Sequence, residues 1–184
     1  MSQSDEALVA RVVSLRDQQA FAVLVERYQS QVRNYLRQLT RDSVNADDLA
    51  QETFIRAWDK MDTISGGGRF AAWLMKVAHN MFLQAYRKSK RYGRLIEELE
   101  HDTTVMTPIE NNSVSDEGSL DMPKYLSILS EEERSVMLLY FVNDLTHSEI
   151  SEVSGLPLGT VKSHIHRGKF KIREHFELKD ADMV

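Results

Sequence analysis

Apolar residues recur along this chain at spacings of three and four. Residues 5–15 place Leu8, Val9, Val12, Val13 and Leu15 on one stripe, and residues 18–39 continue it with Phe21, Leu24, Val25, Tyr28, Val32, Tyr35, Leu36 and Leu39. A helix of 3.6 residues per turn brings such positions to one face, so the pattern predicts amphipathic helices. Asn45 then stands where a helix N-cap is expected, with Asp47 and Asp48 in the positive first turn. The helix behind it should bury Leu49, Thr53, Trp58 and either Phe54 or Ile55. The breaker ISGGGR at 64–69 interrupts the pattern, and a further helix runs from about Phe70 to Arg91. In the last third, Ser130 with Glu133 and Thr146 with Glu149 have the spacing of capping boxes. No segment alternates with the two-residue period of a strand, so the expected fold class is all-α.

Charge divides the chain. Residues 1–95 hold 15 Lys and Arg against 10 Asp and Glu, residues 96–120 hold 0 against 7, and residues 121–184 hold 8 against 11. The middle stretch is acidic, polar and poor in large apolar groups, so it cannot bury enough surface to offset the entropy of ordering itself. It reads as a linker between two small helical domains, 1–95 and 121–184. The rival reading, a surface loop of one domain, asks for an unusually long structureless connection.

Composition then narrows the class. Of 184 residues 42% are hydrophobic and 28% charged, a globular balance. No apolar run approaches the roughly 20 residues of a membrane span. The start, MSQSDEALVARVV, lacks a basic region followed by an apolar core, so a cytoplasmic location is expected. With no Cys, thiolate catalysis, Cys-ligated zinc and disulfide sensing are excluded for this sequence. The net charge of −5 weighs against nucleic-acid binding only until its segregation is seen.

The strongest local motif is THSEISEVSGLPLGTVKSHIHRGKFKI, beginning at Thr146. A short capped helix ends at Gly155, where a left-handed C-cap needs no Cβ, and Pro157 blocks continuation. A second helix starts around Leu158–Thr160. Two helices joined by a short Gly-containing turn form a helix-turn-helix, whose second helix enters the major groove. At about 100° per residue, Leu158, Val161, Ile165, Ile172 and Phe176 share the packing side of this helix. Thr160, Ser163, His164, Arg167 and Lys171 take the opposite arc, flanked by Lys162, His166 and Arg173. Arg reads guanine edges, Ser and Thr read either base type, and Lys serves phosphates. The bland alternative is a solvated basic face. His164 and His166, two apart, point about 160° from each other and cannot grip one ion. No metal is expected, and no cofactor.

These residues, with those of the first half, resemble the extracytoplasmic-function sigma factors of RNA polymerase, the group 4 members of the sigma-70 family. The run from Asp48 through Leu49, Gln51, Glu52, Phe54 and Ala57 to Trp58 matches the family's DLxQExFxxAW helix. Phe70, Trp73, Leu74, Ala78 and Asn80, followed by AYRKSKR, match the next family pattern, and Gly159 to Ser163 matches GTVKS. The resemblance implies two helical domains, regions 2 and 4, that bind core polymerase and promoter DNA. It implies that Asp48, Gln51, Glu52, Phe54 and Arg56 dock on the clamp helices of the largest polymerase subunit. From the residues alone, a Glu52–Arg56 pair also suits any solvated face. It further implies that the loop from Lys60 to Arg69 and the helix after it capture the minus-ten element. There the wheel agrees, since Trp73, Lys76, Asn80, Arg87 and Arg91 form a stripe suited to an exposed strand. Trp73 taken alone reads as core. Gly66, Gly67 and Gly68 depart from the family's varied polar loop, and are expected to order only on DNA around any extruded base. Thr160, Lys162, Ser163, His164, His166, Arg167 and Lys171 would meet the minus-thirty-five element. The resemblance also implies an anti-sigma partner.

The main rival is a helix-turn-helix regulator that never meets polymerase; residues 45–95 argue against it. An enzyme is a distant third, because no phosphate loop, HExxH or nucleophile elbow is present.

Overall fold

A computed structural model describes residues 3–64, 69–100 and 122–181, with side chains placed for 3–64, 69–91 and 125–175. Among these residues the chain is helical throughout. The helices are α1 (Asp5–Leu15), α2 (Gln18–Thr40), α3 (Ser43–Asp59), α4 (Phe70–Glu100), α5 (Met122–Ser127), α6 (Glu131–Phe141), α7 (His147–Ser154) and α8 (Leu158–Ala181), with one 3₁₀ turn at Met61–Thr63. Helix α4 continues through the first residues of the stretch read as linker. The rest of that stretch, 101–120, and the glycine loop at 65–68 lie outside the described residues.

The turns at both ends of α2 repeat one device. Arg16 and Arg41 close α1 and α2 in the left-handed conformation, and the next residue, Asp17 or Asp42, caps the following helix. Asp17 accepts from the Gln19 and Ala20 amides, and Asp42 from the Val44 and Asn45 amides. The amide of Ala20 and the guanidinium of Arg11 hold the Asp17 carboxyl below its usual range. Asn45 is therefore not the cap: it sits in the first turn, and the helix begins three residues earlier than its side-chain type indicated. The capping boxes at Ser130–Glu133 and Thr146–Glu149 form as expected.

In the first half α2, α3 and α4 pack around Leu24, Val32, Leu36, Leu49, Ala50, Leu74 and Ala78. Only Leu8 and Val12 of α1 are buried; Val13 and Leu15 are exposed because α1 ends at Leu15 and touches its neighbours on a narrow stripe. In the second half α6 is central. Glu133 through Leu139 are all buried, since α2, α7 and α8 surround the helix.

The two halves meet through a second buried stripe of α4 formed by Met75, His79 and Phe82. The Tyr35 hydroxyl lies 2.9 Å from His79 Nδ1 and 2.9 Å from Ser135 Oγ, which is itself 3.3 Å from His79 Nδ1. Burial pushes the Tyr35 phenol up and the His79 imidazole down to about 4, so both are neutral at pH 7.

Two predictions follow from these contacts. Asp42→Ala should lower the unfolding free energy by about 1 kcal/mol, while Asn45→Ala should change it little, as chemical denaturation would show. An ordinary loss at Asn45 with none at Asp42 would restore the cap read from sequence. For His79 the sign is fixed by its depressed pKa. A state with the halves apart returns the imidazole towards 6.5 and binds the proton more readily. The contact is therefore fully held above pH 6.5 and weakens as pH falls towards 4, by up to about 1.4 kcal/mol per unit. NMR titration should find His79 neutral at pH 5; a midpoint near 6.5 in the intact chain would show the site open to water.

Candidate nucleic-acid and partner interfaces

Helix α3 separates its faces sharply. Ala46, Leu49, Ala50, Thr53 and Ala57 are buried, whereas Val44 is 72% and Ile55 60% exposed, on the same side as Asp48 and Gln51. Glu52 and Arg56 pair at 3.0 Å along the edge. Phe54 is half-buried against the core, so it is Phe54 that packs and Ile55 that faces outward. Asp47 is engaged by Arg33 and Arg37, each at 3.2 Å. The outward face thus combines a carboxylate, an amide and two exposed apolar groups. Ile55 and Val44 are additions to the expected set; the signal for Ile55 was its place one turn after Gln51.

Trp73, Lys76 and Asn80 of the α4 stripe come together with Lys60 and Arg69 from the loop before it. They line a cleft of about 670 Å³ whose other wall is Thr146, Glu149, Glu152 and Val153 of α7. Trp73 is half-buried, 5.9 Å from the Phe70 ring, which meets Tyr28 at 5.2 Å. Asp5 accepts from the Tyr28 hydroxyl, and burial followed by that bond raises the phenol to about 12. Trp73 therefore packs on one side and lines the cleft on the other. Arg87 and Arg91 are exposed further along α4, outside the cleft. Val77 is half-buried and lines the cleft as well. The middle of the loop expected to hold an extruded base, 65–68, lies outside the described residues.

The helix-turn-helix forms from α7 and α8. Gly155 adopts φ +72° and its amide donates to the Ser151 carbonyl. The turn is locked where Ser151 Oγ donates to the Leu156 carbonyl at 2.6 Å. Val161, His164, Ile165 and Gly168 of α8 are buried. At Gly168 a Cβ would lie 2.8 Å from Met137 Sδ, so the missing side chain permits the close crossing of α8 on α6.

This packing rotates the exposed arc from the one read off the wheel. Lys162, Ser163, His166, Arg167, Lys169, Phe170, Arg173 and Glu174 face solvent, and Thr160 is half-buried. His164 is not on the free arc: only 6% exposed, it packs against α6, with Nε2 3.7 Å from Glu132. Leu158, expected to pack, is 40% exposed at the helix start. Arg167 and Lys171 lie at the arc's edge and meet the carboxylate of Glu133 at 3.3 and 2.6 Å. Arg167 Nη2 also lies 3.1 Å from His164 Nδ1. Burial alone would raise the Glu133 pKa, but Lys171, the Ser130 amide and Arg167 outweigh it and bring it below the usual range. The wheel treated α8 in isolation, and the carboxylate that reaches its cations comes from α6.

Beside this arc lies an apolar groove lined by Met137, Leu138, Phe141, Val142 and Ile172, with Lys169 and Arg173 at its rim. Phe141 is 55% exposed, and the Lys169 ammonium sits 5.2 Å from its ring centre.

Comparison with known proteins agrees with this architecture. The Sigma-70 region 2 family matches residues 24–92 and the Sigma-70, region 4 family matches residues 120–172. The ECF RNA polymerase sigma factor SigW of Bacillus subtilis is 31% identical over 89% of this chain and 91% of its own. The ECF RNA polymerase sigma-E factor of Haemophilus influenzae is 33% identical over 96% and 95%. Among solved structures, CnrH in complex with the cytosolic domain of CnrY superimposes with a TM-score of 0.69 at 27% identity, covering 98% of this chain and 99% of that one. The sigma factor RpoE of Bartonella quintana, in complex with the anti-sigma factor NepR, shares the fold with a TM-score of 0.68 at 24% identity, over 85% of this chain and 96% of that one. With region 2 in the first half, region 4 in the second and relatives of this identity along nearly the whole length, the chain belongs to the extracytoplasmic-function sigma factors of RNA polymerase.

Proposed function

We propose that the three surfaces divide the work of promoter-specific initiation. The outward face of α3, with Asp48, Gln51, Glu52 and Ile55, docks on core polymerase. The stripe of Lys60, Arg69, Trp73, Lys76, Asn80, Arg87 and Arg91 takes the minus-ten element as an exposed strand. Helix α8 reads the minus-thirty-five element in the major groove. The observation that carries this reading is the helix-turn-helix, whose second helix presents Lys162, Ser163, His166, Arg167, Lys169 and Arg173 to solvent with no carboxylate before Glu174. Residues 1–95 and 121–184 act as the two working units, in the cytoplasm where polymerase is found. The direct test is a reconstituted assay, in which promoter-specific transcripts should appear only when this chain and core polymerase are combined.

An anti-sigma factor is the fitting regulator. Both solved structures described above are complexes with a second protein, in one case a named anti-sigma factor. The apolar groove beside α8 offers a protein partner a surface rimmed by two cations.

On α8 Arg167 donates to the Glu133 carboxylate and meets His164, which hold its guanidinium while its side chain stays 53% exposed. Arg167 is thus a base reader held in place, and Lys171 is the group that neutralises Glu133. Arg167→Ala should cost about 1–3 kcal/mol in promoter binding by holoenzyme and relax preference at one position of the minus-thirty-five element. Lys162→Ala should weaken all promoter variants alike and lower the salt dependence by about one counterion. Lys171→Ala should instead destabilise the fold by about 1–3 kcal/mol, because it strips a partner from a nearly buried carboxylate. A uniform loss for Arg167→Ala across single-base variants would reassign that residue to the DNA backbone.

On α3, Asp48→Ala with Glu52→Ala should weaken core polymerase binding by about 0.5–3 kcal/mol. Ile55→Ala should weaken it too, with little change in the melting temperature, since Ile55 is 60% exposed. Undiminished affinity of both variants in a direct titration would remove α3 from the interface.

A further inference from the structure

Arg134 of α6 is 5% exposed, yet no carboxylate pairs with it among the described residues. Its Nε donates to the Leu126 carbonyl at 2.9 Å and its Nη2 to the Leu129 carbonyl at 3.3 Å. Those bonds tie down the end of α5 and leave other donors of the guanidinium unused. They satisfy hydrogen bonding without cancelling the charge, and a buried cation is costly until an anion sits beside it. Arg134 also lines a pocket of about 290 Å³ where α2, α3, α4 and α6 meet. A second cation, Arg41 at the end of α2, lines the same pocket, and its guanidinium has no bonded partner among the described residues. Burial, and after it the charge of Arg41, holds the Arg134 guanidinium below its ordinary pKa, with Glu131 acting the other way. Asn45 and Ser89 add a side-chain amide and a hydroxyl that are likewise uncommitted among the described residues. Glu131 shares the wall without forming an ion pair to either guanidinium.

Each guanidinium offers a planar fork matched to the oxygens of an anion. Two forks from different helices, joined by an amide and a hydroxyl, exceed what the two oxygens of a carboxylate can use and suit the tetrahedral oxygens of phosphate. The pocket is at the small end of ligand sites, which admits phosphate or a small monoester and excludes a nucleic-acid strand. We propose that this pocket is a phosphate-binding site: Arg41 and Arg134 clasp one phosphate group, free or carried by a small molecule as a monoester, and Asn45 and Ser89 bond its remaining oxygens. None of these residues belongs to the surfaces assigned above to polymerase or promoter DNA. Arg41 and Asn45 come from the first half and Arg134 from the second, so the anion neutralises a pair of cations that the fold alone brings together.

Calorimetric titration of the full chain with inorganic phosphate, and separately with adenosine monophosphate, provides the test at constant ionic strength. Saturable binding should appear at a dissociation constant of about 1 mM or below. It should raise the melting temperature, because the site is assembled only in the folded chain. Asn tolerates the left-handed backbone found at position 41, so Arg41→Asn removes the charge with little strain and should weaken binding about tenfold. Glu131→Gln removes an exposed carboxylate from the wall and should tighten binding about threefold. Circular dichroism should show unchanged helicity in both variants. In NMR spectra the amide shifts caused by phosphate should centre on residues 39–45 and 131–135 and be lost with Arg41→Asn. Tighter binding of adenosine monophosphate would assign the site to a monoester, and tighter binding of inorganic phosphate to the free ion. Affinity indifferent to Arg41→Asn, shifts centred on the basic arc of α8, or no saturable binding up to about 10 mM would overturn the site.

Discussion

Three neutral polar groups sealed from water hold the two halves of this sigma factor against each other. The Tyr35 hydroxyl bonds both His79 and Ser135, and each of the three lies on a different helix. Such a contact is worth little while intact, because it replaces bonds to water of similar strength. It is expensive to satisfy only in part, because a buried polar atom without a partner keeps its full desolvation penalty. That asymmetry makes the junction specific. Regions 2 and 4 can meet in the arrangement that satisfies all three groups, and most displaced arrangements leave one of them stranded.

Glu133 imposes the same logic inside the second half. It closes the capping box of α6, and its side chain, 5% exposed, also takes Arg167 and Lys171 from α8. One carboxylate thereby sets the start of one helix and the rotation of another. The rotation decides which residues of α8 face solvent, so the exposed arc depends on a carboxylate supplied by another helix. Gly168 adds the steric half of this constraint by allowing Met137 to approach the α8 backbone.

Much of this was legible in the sequence, and the failures share one cause. The two capping boxes, the Gly155 turn and the shared stripe of Trp73, Lys76 and Asn80 follow from spacing within single elements, whereas Lys60 and Arg69 were supplied by the family resemblance. The misplacements arise where a second element intervenes. His164 falls on the free arc of an isolated helix, and only the presence of α6 buries it. Asn45 has the right side chain for a cap, but Asp42 reaches the free amides first. His79 escaped notice because the wheel on α4 was read for one buried stripe. A second stripe, Met75, His79, Phe82 and Tyr86, recurs at helical spacing and marks a face that packs on something further along the chain. Whether Phe54 or Ile55 points inward is a difference of one residue on a helix, which periodicity leaves open and burial decides.

The chemistry of the contact between the halves bears on how easily it can be undone. A broad apolar interface would hold the domains together at any salt concentration and would release only on unfolding. Here the junction joins the buried stripe of Met75, His79 and Phe82 to an open cleft in which cations face carboxylates. Charge pairs across a cleft that stays wet are weak, are screened by salt and exchange readily for other anions. A polyanion is therefore a competitor matched to the cleft, while the outward face of α3, with Val44 and Ile55 exposed, stands apart from it.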